Sequence, residues 1–200
     1  MQLGANLAIK SVLITGAAGF IGSRLVAHFK QQGLTVFVDT AAPAQAQLRA
    51  PRVVLSVLAL RQATGGAAPD AIIHAAGSGT VARVAAEPAV ELPANQAALL
   101  AVLEFARLHA PGARVVLLSS AAMYGNAPPT PQNEGQARTP VSLYGLAKTQ
   151  AEQLAAFYAE QHALCASAVR LFSVYGPGLQ KQLLWDAMNK FAAGPAEFFG

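Results

Sequence analysis

The 200-residue chain has little charge, one cysteine and one tryptophan: only 12% of its residues are charged, 14 basic against 10 acidic. So low a charge, beside an ample apolar fraction, excludes a disordered or supercharged chain. The lone Cys165 forms no internal disulfide, and a reducing cytoplasm is the expected compartment. Met1 to Lys10 shows no basic segment followed by an apolar core, so no secretory leader is expected. No window reaches the roughly 18 apolar residues that a membrane helix needs, so no membrane span is expected. The pI near 9.5 raises nucleic acid as a partner. The basic residues are scattered singly, however, without a cluster interleaved with aromatics, and nucleic-acid binding is not expected. His28, His74, His109 and His162 have no metal-ligand spacing and no thiol or carboxylate cluster beside them. No metal is expected.

Hydrophobic residues make up 54% of the chain and about a fifth of it is alanine, enough for one buried core and at most two domains. Short β-branched runs alternate with longer Ala/Leu stretches. Ser11–Thr15, Thr35–Asp39, Arg52–Val57, Asp70–Ala75, Arg114–Ser119 and Ala166–Val174 read as strands, nearly continuous in apolar character. Strands apolar on both faces belong to a parallel sheet covered by helices. Phe20–Gln32, Pro88–His109 and Ser142–His162 have helical length and stop signals, Gly33 after the first and Pro111–Gly112 after the second. The alternation predicts a doubly wound α/β (Rossmann) sheet. Gly125–Pro140 breaks the rhythm as a long Pro-rich connection, a length typical of lids and binding loops. Gly194–Gly200 ends on F-F-G without a cap and reads as an interrupted chain.

T-G-A-A-G-F-I-G, Thr15 to Gly22, stands between the first strand and the first helix. In that context Gly16 suits a tight turn and Gly19 a close approach to pyrophosphate. Gly22 suits close helix packing, and the N–H groups near Phe20 and Ile21 point at the anion. Asp39, at the end of the second strand, is placed to accept the adenine-ribose hydroxyls of NAD. No arginine follows it in D-T-A-A-P-A, so NAD is favoured over NADP. Tyr144 and Lys148, four apart in Y-G-L-A-K, share one helix face, and Ser120 closes a strand whose carboxyl end faces the ligand crevice. A free phenol titrates near pH 10, so a tyrosine base at neutral pH needs a downward shift of about 3 units. A neighbouring ammonium and a nicotinamide cation could supply it.

Taken together, T-G-A-A-G-F-I-G, H-A-A-G (His74–Gly77), S-S-A-A-M-Y-G (Ser119–Gly125), Y-G-L-A-K and R-L-F-S-V-Y-G-P-G (Arg170–Gly178) resemble, in order and spacing, the extended short-chain dehydrogenase/reductases. The nearest likeness is to the NAD-dependent epimerase/dehydratase branch that acts on nucleotide sugars. The resemblance implies Ser120, Tyr144 and Lys148 as catalytic residues. It implies Gly16, Gly19, Phe20, Ile21, Gly22, Asp39, Ala75, Ala76, Gly77 and Phe172, with Tyr144 and Lys148, along the cofactor. It divides the chain into an NAD-binding domain, 1–176, and the beginning of an incomplete substrate-binding domain, 177–200. It also implies a homodimer formed through the helices of Pro88–His109 and Ser142–His162.

The departures are local. Ser56 stands where the family commonly holds adenine with an acidic residue, and Ser173 replaces the usual substrate-touching asparagine. Lys181 is a weak candidate for the sugar-nucleotide diphosphate. Asn95 matches an asparagine of the family's central helix, but Pro93 beside it reads as a helix start or kink, which leaves Asn95 outside the predicted site. Ala121 and Ala122 stand where dehydratases carry an Asp-Glu pair, and neither can move a proton. Dehydration is thereby disfavoured, and 4-epimerisation or a simple reduction at C4 remains. A non-catalytic NAD-binding module and an inactive fragment stay open beside the enzyme.

Overall fold

The computed structural model describes residues 8–39, 55–77, 80–128, 130–179 and 182–194. Five strands, β1 (Ser11–Thr15), β2 (Thr35–Val38), β3 (Ala71–His74), β4 (Arg114–Ser120) and β5 (Cys165–Leu171), form one parallel sheet in the order β2-β1-β3-β4-β5. The chain leaves β1 towards β2 on one side and returns to β3 on the other. The C-terminal edge between β1 and β3 is therefore the topological switch point, where such sheets bind ligands.

Both faces of the sheet are covered, which explains the unbroken apolar runs. Val12, Ile14 and Ile73 pack under Leu25, Val26 and Phe29 of α1 (Phe20–Gln31). Leu13, Ile72, Val115 and Leu117 point the other way, to Leu60 of α2 (Val57–Ala63) and to Leu99, Val102, Leu103 and Phe105 of α4 (Pro88–His109). The short α3 (Val81–Ala86), the long α5 (Leu143–His162) and α6 (Gln182–Ala193) complete the described helices. Gln32 caps α1, and Gly33 follows at φ +79° to turn the chain into β2.

The structure corrects the expected strand at Arg52–Val57. Residues 52–54 lie outside the described residues, Leu55 and Ser56 are irregular, and Val57 opens α2. Ser56 caps that helix, its hydroxyl accepting the Ala59 N–H at 3.1 Å, and Leu60 one turn on is fully buried. A run such as V-L-S-V-L-A-L fits either periodicity, and the cap decides it. Helix α4 continues through Pro93 to His109.

The expectation of no sufficiently apolar window also needs amending. α4 has 22 residues and an 18-residue window of mean hydropathy 1.2, so by length and composition alone it would pass as a span. Its stripe of Leu99, Val102, Leu103, Phe105 and Ala106 is instead spent on the core against the sheet and α5. Its first turn carries Glu91, buried and paired with Arg83 of α3 at 2.8 Å.

Candidate active site

The glycine turn is as tight as its sequence requires. Gly16 sits at φ +72°, and a Cβ there would lie 2.6 Å from the backbone nitrogen of Ala76 and 2.7 Å from the carbonyl carbon of Ala75. Any side chain would wedge apart the loops that follow β1 and β3. Gly22 is needed for a related reason: its Cβ would overlap the Gly16 carbonyl oxygen, so the first turn of α1 can close on the loop only without one. Gly19 is the N-cap of α1 and no side chain caps the helix, which leaves its first N–H groups, at Phe20, Ile21 and Gly22, without a side-chain acceptor.

Asp39, just past β2, folds its buried carboxylate back onto this turn. Oδ2 accepts the Gly16 N–H at 2.7 Å and Oδ1 the Ala17 N–H at 3.2 Å. Ala75 N–H donates to the Thr15 carbonyl at 3.1 Å, which ties the opposite rim together. Gly77 follows at φ +131°, and a Cβ on it would lie 3.1 Å from Oδ1 of Asn95. The structure thus brings Asn95, set aside in the sequence because of Pro93, to the rim of the site. Its family position was the signal that could have found it.

Ser120 ends β4 and Tyr144 lies in the first turn of α5, whose N-cap Ser142 accepts the Gly145 N–H at 3.1 Å. The Ser120 hydroxyl, which accepts the Ala122 N–H at 3.2 Å, stands close enough to the Tyr144 phenol to favour its ionised form. Lys148, one turn on, donates to the Leu118 carbonyl at 2.8 Å, with Nζ 5.8 Å from the centroid of the Tyr144 ring. Burial pulls the Lys148 pKa down to about 8. Burial also pushes the Tyr144 phenol up, and the neighbouring Ser120 hydroxyl draws it only part of the way back. The downward shift expected from Lys148 is thus not supplied by the chain's own groups, because burial outweighs them.

Beneath this site His74, the last residue of β3, is buried with Nδ1 2.8 Å from the Thr15 hydroxyl. Burial, and then the charge of Lys148, pull its pKa down to about 3, so the ring is neutral. A cavity of about 580 Å³ between α4 and α5 is lined by Asn95, Leu99, Leu100, Tyr144, Lys148 and Leu154, among others. Phe172 is 64% exposed just beyond β5 and Ser173 is exposed beside it, while Lys181 lies outside the described residues. The turn at Gly176–Gly178 returns to α1, where Arg24, stacked 3.7 Å over the Phe20 ring, donates to the Pro177 carbonyl.

A glycine turn at a switch point, with a Ser-Tyr-Lys set on the neighbouring strand and helix, defines a dinucleotide-binding fold of the short-chain dehydrogenase/reductase type. The NAD dependent epimerase/dehydratase family matches over residues 12–198, and the chain belongs to it. The chain is 32% identical to a probable UDP-glucuronate 4-epimerase of Rhizobium meliloti, over 94% of this chain and 61% of that one. It is 32% identical to a dTDP-4-dehydro-6-deoxy-D-allose reductase of Streptomyces, over 84% of this chain and 57% of that one. The structure of UDP-glucose 4-epimerase from Brucella ovis in complex with NAD superposes with a TM-score of 0.69 at 31% identity, covering 80% of this chain and 51% of the other. The chain spans about half the length of the curated relatives it matches, from 40% to 61%.

Proposed function

We propose that the intact protein is an NAD-dependent nucleotide-sugar 4-epimerase in which Ser120, Tyr144 and Lys148 do the chemistry. The observation that carries this reading is the Ser120 hydroxyl beside the Tyr144 phenol, with Lys148 one turn away and 5.8 Å from the Tyr144 ring, at the strand ends that flank the glycine turn. The uncapped N-terminus of α1 and the side-chain-free wall at Gly16 fit a dinucleotide. Gly16, Gly19, Phe20, Ile21 and Gly22 hold its pyrophosphate, and the remaining lone pairs of Asp39 take the adenine ribose. Ala75, Ala76, Gly77 and Phe172 line the rest. When bound there, NAD would supply the acceptor and then the donor of the hydride exchanged at the sugar C4.

The chain's residues handle the proton and the orientation. Ser120 orients the C4 hydroxyl, Tyr144 takes its proton and later gives it back, and Lys148 holds the nicotinamide ribose. The ammonium together with bound cofactor supplies the downward shift that Tyr144 needs to act as a base. Ser173, at the end of the NAD-binding part, contacts the nucleotide sugar, and Lys181, which lies outside the described residues, belongs to the substrate-binding part that begins at residue 177. Two copies pair through α4 and α5, where Leu100, Leu146 and Phe157 are exposed. The enzyme works in the cytoplasm. Ala121 and Ala122 supply no acid or base for dehydration, and the Streptomyces relative keeps a C4 reductase as the second reading.

Calorimetry with NAD+, followed by a panel of UDP-, dTDP- and GDP-sugars, tests the reading. Binding of NAD+ and then of one sugar nucleotide, with its C4 epimer formed and no net change in NADH absorbance, is the expected result. Stoichiometric NADH consumption would make it a reductase. Binding of NAD+ without any sugar nucleotide would overturn the enzyme reading for this chain.

A further inference from the structure

The Pro-rich stretch 125–140 is the covalent link between Ser120 and Tyr144. It leaves the single 3-10 turn Ala121–Tyr124 that follows Ser120 and delivers the chain to the N-cap of α5. Its base is pinched. Gly125, at φ +63°, lies so close to the Thr139 carbonyl that a Cβ would overlap it, and the Thr139 hydroxyl donates to the Tyr124 carbonyl at 3.0 Å.

Its middle is fastened by one guanidinium. Arg170 of β5 sends Nη1 to the Tyr124 hydroxyl and to the Glu134 carbonyl, both at 2.7 Å. Nε and Nη2 of the same group fork onto the Glu152 carboxylate at 3.0 and 2.8 Å. Tyr124 in turn donates to the Asn133 carbonyl at 3.3 Å, and Arg138 from the loop reaches Glu152 at 3.4 Å. Glu152 lies one helical turn beyond Lys148, which lies one turn beyond Tyr144, so the three share a face of α5.

The side chains of Arg170 and Glu152 are only 13% and 6% exposed. A buried ion pair adds little stability over an apolar pair of equal volume, because desolvating both charges offsets most of their attraction. What this pair does provide is direction: a planar fork with donors at fixed angles joins β5, the loop and α5 in one arrangement.

We infer that Arg170 is a positioning residue: by clamping loop 125–140 onto Glu152 and Tyr124 it sets the distance between the Ser120 and Tyr144 hydroxyls. The inference rests on the reading of those two as the reacting pair. Its consequence is that the loop is a fixed wall of the site and not a lid.

The test uses the intact protein with Arg170→Lys, which keeps the charge and loses the fork, and Tyr124→Phe, which removes one hydroxyl only. Hydrogen exchange across 126–139 is expected to quicken about tenfold in the first and about threefold in the second, with β1 to β3 unchanged. The Tyr144 phenol, followed by NMR of ring-labelled tyrosine and assigned with Tyr144→Phe, is expected to titrate higher in both as the Ser120 hydroxyl moves away from it. NAD+ affinity is expected to stay at the wild-type value. Unchanged loop exchange, an unmoved Tyr144 titration, or exchange that quickens equally in β1 to β3 would each overturn the proposal. Neither readout needs turnover, so an inactive protein would defeat the epimerase reading while this one stands or falls separately.

Discussion

The Asp39 carboxylate accepts the Gly16 N–H at 2.7 Å and the Ala17 N–H at 3.2 Å, so the residue proposed to take the adenine ribose also holds the glycine turn shut. A hydrogen bond to a charged acceptor contributes about 1.5–3 kcal/mol. Asp39→Asn leaves a single carbonyl oxygen where two carboxylate oxygens stood, so one of the two N–H groups loses its acceptor. The NAD+ dissociation constant is expected to rise about tenfold, or about 1.4 kcal/mol, with the fold retained. Calorimetry reads this directly, and an unchanged constant would remove Asp39 from the cofactor site.

Tyr144 is raised by burial, and the Ser120 hydroxyl beside it draws it part of the way back. The proposed base must be deprotonated to work, so turnover is expected to rise with pH through the Tyr144 titration, and any change that raises the phenol is expected to move this acid limb to higher pH. Ser120→Ala is expected to do so and to lower turnover about a hundredfold. Tyr144→Phe removes the base and is expected to lower turnover about a thousandfold or more while leaving NAD+ affinity intact. A Tyr144→Phe variant with wild-type turnover would sink the mechanism.

Lys148 is held at about 8 against an ordinary 10.5 because its ammonium is buried. Between those two values the unfolded chain binds the extra proton, so stability rises as pH climbs from 8 to 10.5 and the penalty is fully present below 8. Lys148→Met takes that desolvated charge away. It is expected to stabilise the protein at pH 7 by about 1–3 kcal/mol, reduced by the lost bond to Leu118, while turnover collapses. Thermal unfolding and an activity assay on the same sample check the trade. A destabilised Lys148→Met would mean that the lysine is structural.

The parts of this site that follow a local rule were readable in the chain. Gly16 and Gly22 announce a turn that excludes side chains, and Tyr144 and Lys148 share a helix face by spacing alone. The strands β1, β3 and β4 show as apolar runs because both faces of the sheet are covered. What escaped is tertiary or ambiguous. Arg52–Val57 is apolar in either periodicity, and the Ser56 cap tipped Val57 into a helix. α3 is a single short turn capped by Thr80, beneath the length at which a pattern emerges. Asn95 was hidden by the prejudice against a proline inside a helix. The Arg170–Glu152 clamp joins residues 18 apart on different elements, and no spacing rule reaches across a strand, a loop and a helix.

His74 binds the acid stability of the fold to the same site. Its ring is buried against the Thr15 hydroxyl and held at about 3 against an ordinary 6.5, by burial first and by the Lys148 charge second. The neutral ring is the native form, so its contribution is complete above pH 6.5 and is lost progressively as pH falls towards 3, because the unfolded chain takes up the proton first. From pH 6.5 to 5 that amounts to about 2 kcal/mol at one proton. Glu104 titrates lower, held at about 2 by its bonds to Arg107 and Tyr158, so its loss falls below this window. Urea unfolding at pH 6.5 and pH 5 is expected to show the drop in the wild type. His74→Asn, which can still bond Thr15 but does not titrate, is expected to flatten it. Parallel slopes in the two proteins would show that His74 is charged in the native state, and with it that a second cation shares the floor of the site with Lys148.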